Sequence, residues 1–161
     1  MIPTTGLGLA VLLLVGWGVS SLSLLNSSLA QWPLWLVVSA VALRTLLQTG
    51  LFIIGHDAMH GVLLPKHPRS NHAVGACALG LYAGLAYGAC RQKHQRHHRC
   101  TASSSDPDFH PDPAAGPVRW YLRFMAGYLS PWQMGRLLGG WGLLALLFSP
   151  SNPSSWVNLL L

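Results

Sequence analysis

The chain has 161 residues, of which 51% are hydrophobic and only 9% are charged. Soluble domains carry roughly 25% charged residues, so this composition excludes an ordinary soluble domain and predicts one integral membrane domain. The four acidic residues are all Asp, so a metal site built from Glu-x-x-His pairs is excluded within this chain.

Positive charge is concentrated in one part of the chain. The formal net charge is +6, and eight of the ten Lys and Arg lie between Lys66 and Arg123. A basic block beside apolar runs follows the positive-inside bias and predicts a cytoplasmic face. Basic clusters also bind nucleic acid, but no aromatic-interleaved or helix-turn-helix pattern accompanies this one, so we expect no nucleic-acid partner.

Two apolar runs near the N-terminus predict membrane-spanning helices. Residues 6–25 are uncharged and long enough to cross a hydrocarbon core of about 30 Å. Residues 34–55 are also apolar except for Arg44, which we expect to face protein or water because an Arg at that depth is costly. Gln48 is predicted to lie on the same helix face as Arg44, one turn further on.

Residues 73–90 could span a membrane by length, but the neighbouring charges favour another arrangement. Basic residues stand on both sides of this run, and a crossing would place one group on the wrong side. A crossing would also separate the two histidine groups that flank the run. We therefore predict a shallow or interfacial segment that returns to the same membrane face.

The C-terminal half continues with a loop and three further segments. Residues 100–117 contain three Asp and four Pro and predict a loop, whereas residues 118–131 predict a helix in the headgroup layer. Residues 137–149 form another apolar run. Residues 156–161 look like the first turns of a further membrane segment.

Five histidines in two short groups are the strongest chemical signal. His56 and His60 are four residues apart, and His94, His97 and His98 follow the same helical spacing, so each group can present imidazoles from one helix face. Neutral imidazole is a ligand for iron, zinc and copper. The first group continues the second apolar helix without a break. The sequence therefore predicts one metal site that both groups share.

Other polar residues near these groups have open roles. Asp57 could orient a ligand imidazole through a hydrogen bond, or it could simply end a helix near basic residues. Asp106 and Asp108 could do the same for the second group, or could order the proline-rich loop. His72 and His110 are the best candidates outside the two groups for an outer shell, although a structural or solvated role is favoured for each.

Two alternative kinds of site fit less well. The spacing of His56 and His60 matches that of the zinc-protease motif H-E-x-x-H, but its second position is Asp57 and the sequence has no Glu to serve as general base. The cysteines Cys77, Cys90 and Cys100 match no zinc-knuckle spacing, and we expect three reduced thiols.

The histidine pattern resembles the membrane fatty-acid desaturase and hydroxylase superfamily, in which H-x-x-x-H ends a spanning helix and H-x-x-H-H follows. Within it, the strings His56-Asp-Ala-Met-His60-Gly61 and Asp106-Pro-Asp-Phe-His110 resemble bacterial and cyanobacterial beta-carotene ketolases. The resemblance covers roughly residues 34–130. It implies an all-α membrane protein in which desaturase-like transmembrane helices carry a cytoplasmic cap of histidine boxes, with further helices at the interface.

The resemblance also implies a function. Such enzymes hold two irons through histidines, here His56, His60, His94, His97 and His98, and use O2 and external electrons to oxidise an unactivated C–H bond. In the ketolase branch, carbon 4 of the carotenoid beta-ionone ring is hydroxylated twice and loses water to give a ketone. A ferredoxin is the expected electron donor, and the lipid bilayer surrounds the protein.

One departure from the family pattern is expected to matter. The family has a third histidine box, whereas no histidine follows His110. We therefore expect residues 1–161 to be the N-terminal part of a single desaturase-like domain, to hold fewer than two irons and to need further ligands. Alternatives are a fatty-acyl desaturase or a carotenoid hydroxylase with the same boxes. The alternative from another class is a non-catalytic membrane metal-binding or transport protein.

Overall fold

The computed structural model describes residues 4–110, 112 and 114–148, which form helices joined by short turns and one longer loop. The segment predicted over residues 156–161 lies outside these described residues. Besides a short 3-10 turn, Leu29–Gln31, the order of helices is α1 Thr4–Leu25, α2 Leu34–His60, α3 Pro68–Ala83, α4 Tyr87–Cys100, α5 Pro117–Tyr128 and α6 Pro131–Phe148.

Two helices are long and apolar enough to cross a membrane, namely Gly6–Leu25 within α1 and all of α2. The α3–α4 pair would count as a third crossing only if its two helices, which meet at 100°, formed one broken span. Large apolar side chains on α1 and α2 are exposed, including Leu12 and Leu34, which is the surface that lipid would cover. The prediction of an all-α membrane protein is confirmed.

Helix α2 is the centre of the packed core. Its buried residues Leu51, Ile54 and Ala58 form one cluster with Ala78 of α3, and all four are at most 2% exposed. The backbones approach closely because α2 has a glycine at the crossing: a Cβ on Gly55 would overlap the Leu79 side chain. This packing fixes α3 along the half of α2 that carries the first histidine box.

Two glycines end the helices that lead into the histidine boxes. Gly61 follows α2 with φ of 75°, and Gly84 follows α3 with φ of 63°. This left-handed backbone region is one that residues with a Cβ rarely adopt, so each glycine stops its helix at a fixed place. The Gly84 stop also bends the chain by 100° into α4.

Arg44 faces the protein, which is one of the two surroundings that the sequence predicted. Its guanidinium lies 5.1 Å from the centroid of the Trp17 ring, and Nη1 donates to the Trp17 carbonyl at 3.5 Å. The Trp17 indole N–H in turn donates to Gln48 Oε1 at 2.6 Å. Gln48 Nε2 donates to the carbonyl of Tyr82 at the end of α3. The polar groups of α2 therefore hold the bend between α3 and α4 in place.

The C-terminal helices begin at prolines. Pro117 is at the start of α5 and Pro131 at the start of α6, where the missing N–H would have no partner in the helix. The sequence predicted one helix over 118–131, but α5 ends at Tyr128 and α6 follows after two residues. Helix α5 has no buried residue and keeps Arg119 exposed, which suits an interfacial position.

Candidate metal centre

Four of the predicted histidines meet at one point. His56 and His60 stand on the last turn of α2, and His94 and His98 stand one turn apart on α4. His94 Nε2 lies 2.9 Å from His60 Nε2 and 3.1 Å from His98 Nε2. The His56 ring centroid is 4.7 Å from that of His60 and 4.6 Å from that of His94. We refer to these four residues as the imidazole cluster.

The geometry of the imidazole cluster fits a metal ion. Ligand nitrogens of His56, His60 and His94 all lie within 4.8 Å of one another. Two imidazole nitrogens bound to one ion at about 2.1 Å and at right angles would be about 3 Å apart, which is close to the spacing of the cluster. Residues of α2 and α4 bring these nitrogens together from two separate helices.

The electrostatics of His94 also suit a ligand. Burial lowers the pKa of His94 to about 4, and the neighbouring imidazoles of His56, His98, His60 and His97 add to the effect. His94 is therefore neutral at pH 7, with a lone pair available. An imidazole nitrogen must be deprotonated to bind a metal ion. Because His94 is already neutral, a metal ion can bind its nitrogen without first displacing a proton.

His97 makes different contacts although it belongs to the same box. Its Nδ1–H donates to the Asp106 carboxylate, at 2.9 Å to Oδ1 and 3.1 Å to Oδ2. Asp108 Oδ2 lies 3.6 Å from the same nitrogen. The hydrogen bond to Asp106 raises the pKa of His97, against the effect of burial. His97 is thus fixed through Nδ1, which leaves Nε2 as the nitrogen available to a metal.

Asp106 is held by the loop that follows α4. The backbone N–H groups of Ala102 and Asp108 each donate to its carboxylate at 2.9 Å. Burial alone would raise the pKa of Asp106, but the hydrogen bonds from Asp108, His97 and Ala102 outweigh it and hold the pKa below its ordinary value. This arrangement presents a carboxylate to His97 at a fixed position.

The remaining predicted residues are less closely connected. Asp57 Oδ1 lies 3.4 Å from His56 Nδ1, with both side chains about 40% exposed. In the described structure, His72 Nδ1 lies 2.9 Å from the Tyr87 hydroxyl, and His110 Nδ1 accepts the Asp112 backbone N–H at 3.1 Å. Neither of these two bonds joins its histidine to the imidazole cluster.

Two residues that support the site were not predicted as part of it. Asn71 is 1% exposed, donates to the Ala58 carbonyl at 2.7 Å and accepts the Leu64 N–H at 3.2 Å, so it fixes the end of α2. The Tyr128 hydroxyl donates to Asp108 Oδ1 at 2.9 Å. The sequence offers little signal for Tyr128, because 20 residues separate it from Asp108.

Comparison with known proteins identifies the family. The sequence model described as Fatty acid desaturase matches residues 30–160. The chain belongs to the fatty acid desaturase family. Family membership and the two apolar helices together make it a membrane protein, and His56, His60 and His94 have ligand nitrogens close enough together to hold a metal ion.

Similar proteins include several ketolases. The "Beta-carotene ketolase" of Paracoccus sp. (strain PC1) is 44% identical over 133 residues, which cover 82% of this chain and 53% of that protein. The "Beta-carotene ketolase" of Paracoccus sp. (strain N81106 / MBIC 01143) is 45% identical over 68% of this chain and 43% of its own length. The "Zeaxanthin 4-ketolase" of Chlamydomonas reinhardtii is 36% identical over 72% of this chain and 26% of its own length.

The chain spans about half the length, or less, of these curated relatives. No solved structure matches it significantly.

Proposed function

We propose that this chain contributes the first two histidine boxes of a non-haem diiron oxygenase that introduces a 4-keto group into the beta-ionone ring of carotenoids. The convergence of His56, His60, His94 and His98 is the single observation that carries the proposal. Similarity to ketolases at 44% and 45% identity supports the substrate class. The substrates would be beta-carotene and ring-hydroxylated carotenoids.

The proposed ligands are the imidazole cluster together with Nε2 of His97. Asp106 would orient His97, as carboxylates do for many metal-bound histidines, and Asp57 would do the same for His56. His72, Asp108 and His110 would belong to the surroundings of the site and bind no metal directly. Bound iron would supply the redox chemistry that couples O2 to C–H oxidation. The remaining ligands of a two-iron centre would be additional to these residues.

The overall chemistry balances with an external electron donor. Each hydroxylation converts C–H to C–OH and consumes one O2, two electrons and two protons, with release of one water. A second hydroxylation at the same carbon gives a gem-diol, which loses water to form the ketone. The chain would hold the ring against the imidazole cluster.

The basic residues around the boxes favour an acidic electron donor. Lys66 precedes α3 and Arg69 lies in its first turn, and Lys93, Arg96 and Arg99 lie on α4 with His94 and His98. Such a surface would steer a negatively charged donor, such as a ferredoxin, to the face that carries the boxes. We infer from the same charges that this face is cytoplasmic.

Expression of a full-length gene that supplies this chain together with the remaining ligands, in cells that accumulate beta-carotene, tests the proposal. A new keto-carotenoid with a red-shifted absorption band, lost in a His94→Ala variant that still reaches the membrane, is the expected result. Changes in lipid unsaturation without new pigment would replace the proposal with a fatty-acyl desaturase. A hydroxylated carotenoid without a ketone would replace it with a hydroxylase.

A further inference from the structure

An apolar cavity of about 420 Å³ opens beside the imidazole cluster. His56 and His94 line it, so a ligand in the cavity could contact two of the clustered imidazoles. Its volume lies within the range of about 300–1,000 Å³ that is usual for small-molecule sites. Most of the wall is apolar or aromatic, with contributions from Phe52, Met59, Leu85, Phe124 and Met125.

The apolar wall is interrupted by a hydrogen-bonded pair, Asp108 and Tyr128, both of which line the cavity. The Tyr128 hydroxyl donates to Asp108 Oδ1 at 2.9 Å. Lys93 Nζ lies 4.6 Å from the centroid of the Tyr128 ring and makes a cation–π contact with its face. Tyr128 is therefore fixed at both its ring and its hydroxyl, and its proton stays directed at Asp108.

We propose that this cavity binds the ring end of the carotenoid, and that the Tyr128–Asp108 pair determines how well it accepts rings with and without a hydroxyl group. This inference rests on the proposed function, because that function supplies the substrate class. Tyr128 is a specificity-determining residue in this account. It touches the substrate ring but takes no part in the oxidation.

The pair can serve both kinds of ring because a carboxylate accepts several hydrogen bonds. An unsubstituted ring leaves the Tyr128–Asp108 bond intact, so no polar group loses its partner when the ring covers the pair. A hydroxylated ring can donate to a further lone pair of Asp108, which lines the cavity. The hydroxylated ring therefore gains a hydrogen bond, whereas the plain ring covers a carboxylate whose Oδ1 still keeps the Tyr128 donor.

Removal of the Tyr128 hydroxyl should separate the two ring types. Tyr128→Phe leaves Asp108 Oδ1 without its donor, so a plain ring would cover an unsatisfied acceptor. A ring hydroxyl would replace the lost donor in part. We expect Tyr128→Phe to raise the ratio of the dissociation constant for a plain ring to that for a hydroxylated ring about tenfold.

Beta-ionone and 3-hydroxy-beta-ionone are a matched pair of ring-sized probes for this test. Binding of each to the purified chain in detergent micelles would be titrated by saturation-transfer NMR, with and without the substitution. Tyr121→Phe is the matched control, because Tyr121 lines the same wall on the same helix and its change leaves the Tyr128–Asp108 bond in place. We expect Tyr121→Phe to leave the ratio within twofold of that of the unsubstituted chain. An unchanged ratio in Tyr128→Phe would overturn the role of the pair.

A second substitution tests the cavity itself. Ala83 lines the cavity, and Ala83→Phe should weaken both probes at least tenfold by filling it. Ala76→Phe is the control on the same helix, because Ala76 is exposed. Equal affinities in the two alanine variants would overturn the cavity as the ring site. These measurements need no turnover, so they remain readable if the gene yields no ketone in cells.

Discussion

His94 of the imidazole cluster and His97 of the His97–Asp106 pair lie within one turn of each other on α4, yet their surroundings shift the histidine pKa in opposite directions. Burial among other imidazoles lowers the pKa of His94 to about 4, whereas a carboxylate raises the pKa of His97. One set is held by two packed helices and the other by a loop carboxylate. The comparison shows that the groups around a histidine, more than its place in a motif, determine its pKa and which ring nitrogen is available to a metal.

Among the substitutions that distinguish these two histidines, removal of His94 should have the largest effect on metal affinity. His94 lies between His60 and His98 in the cluster. Substitution of a residue that only hydrogen-bonds to a metal ligand typically lowers metal affinity roughly 10- to 100-fold. His94→Ala removes a proposed ligand itself, so it should lower the affinity for Fe²⁺ by more than that. Anaerobic titration of the purified chain would measure it. His67→Ala, in the exposed turn before α3, is the control and should bind as the unsubstituted chain does.

Asp106→Asn should have an intermediate effect. The substitution removes the carboxylate that fixes His97 but leaves the imidazole cluster in place, so we expect a roughly 10- to 100-fold loss of metal affinity. Asp112→Asn is the matched control, since its carboxylate pairs with exposed Arg119. If both variants lost affinity equally, Asp106 would act only through net charge.

The smallest effect is expected in the pH dependence of stability of the metal-free chain. The pKa of His94 is below that of an unfolded histidine, near 6.5, so the folded state binds fewer protons and loses stability as pH falls from 6.5 towards 4. His97 has a raised pKa, so its contribution is full below pH 6.5 and is lost as pH rises through its folded pKa.

Thermal unfolding of the metal-free chain at pH 7.5 and pH 5 would measure these opposite contributions. His94→Gln should lessen the loss of stability on acidification, and His97→Gln should increase it. Shifts of the same sign in both variants would refute the contrast between the two histidines.

Much of the site could be predicted from the sequence because helical spacing and apolar length are local properties. The i, i+4 spacing placed His56 beside His60 and His94 beside His98. Basic residues on both sides of residues 73–90 indicated that the chain turns back, and in the structure His60 and His94 are in contact. The pairing of Arg44 within the protein followed from the cost of a charge at that depth.

The orientation of His97 could not be predicted from the same spacing. Its partner, Asp106, is positioned by a loop in which Ala102 has φ of 58° and two backbone N–H groups bind the carboxylate. These contacts depend on the path of the loop, which has no periodicity. The bond between Tyr128 and Asp108 depends in turn on how α5 packs against that loop.

The central claim is that imidazoles from two separate helices bind one metal ion. X-ray absorption of the purified chain loaded with one equivalent of Co²⁺ would count those ligands directly. We predict a nitrogen shell at about 2.1 Å with scattering from at least three imidazole rings, which His94→Ala reduces. A shell of water or carboxylate oxygens with at most one imidazole would contradict the claim.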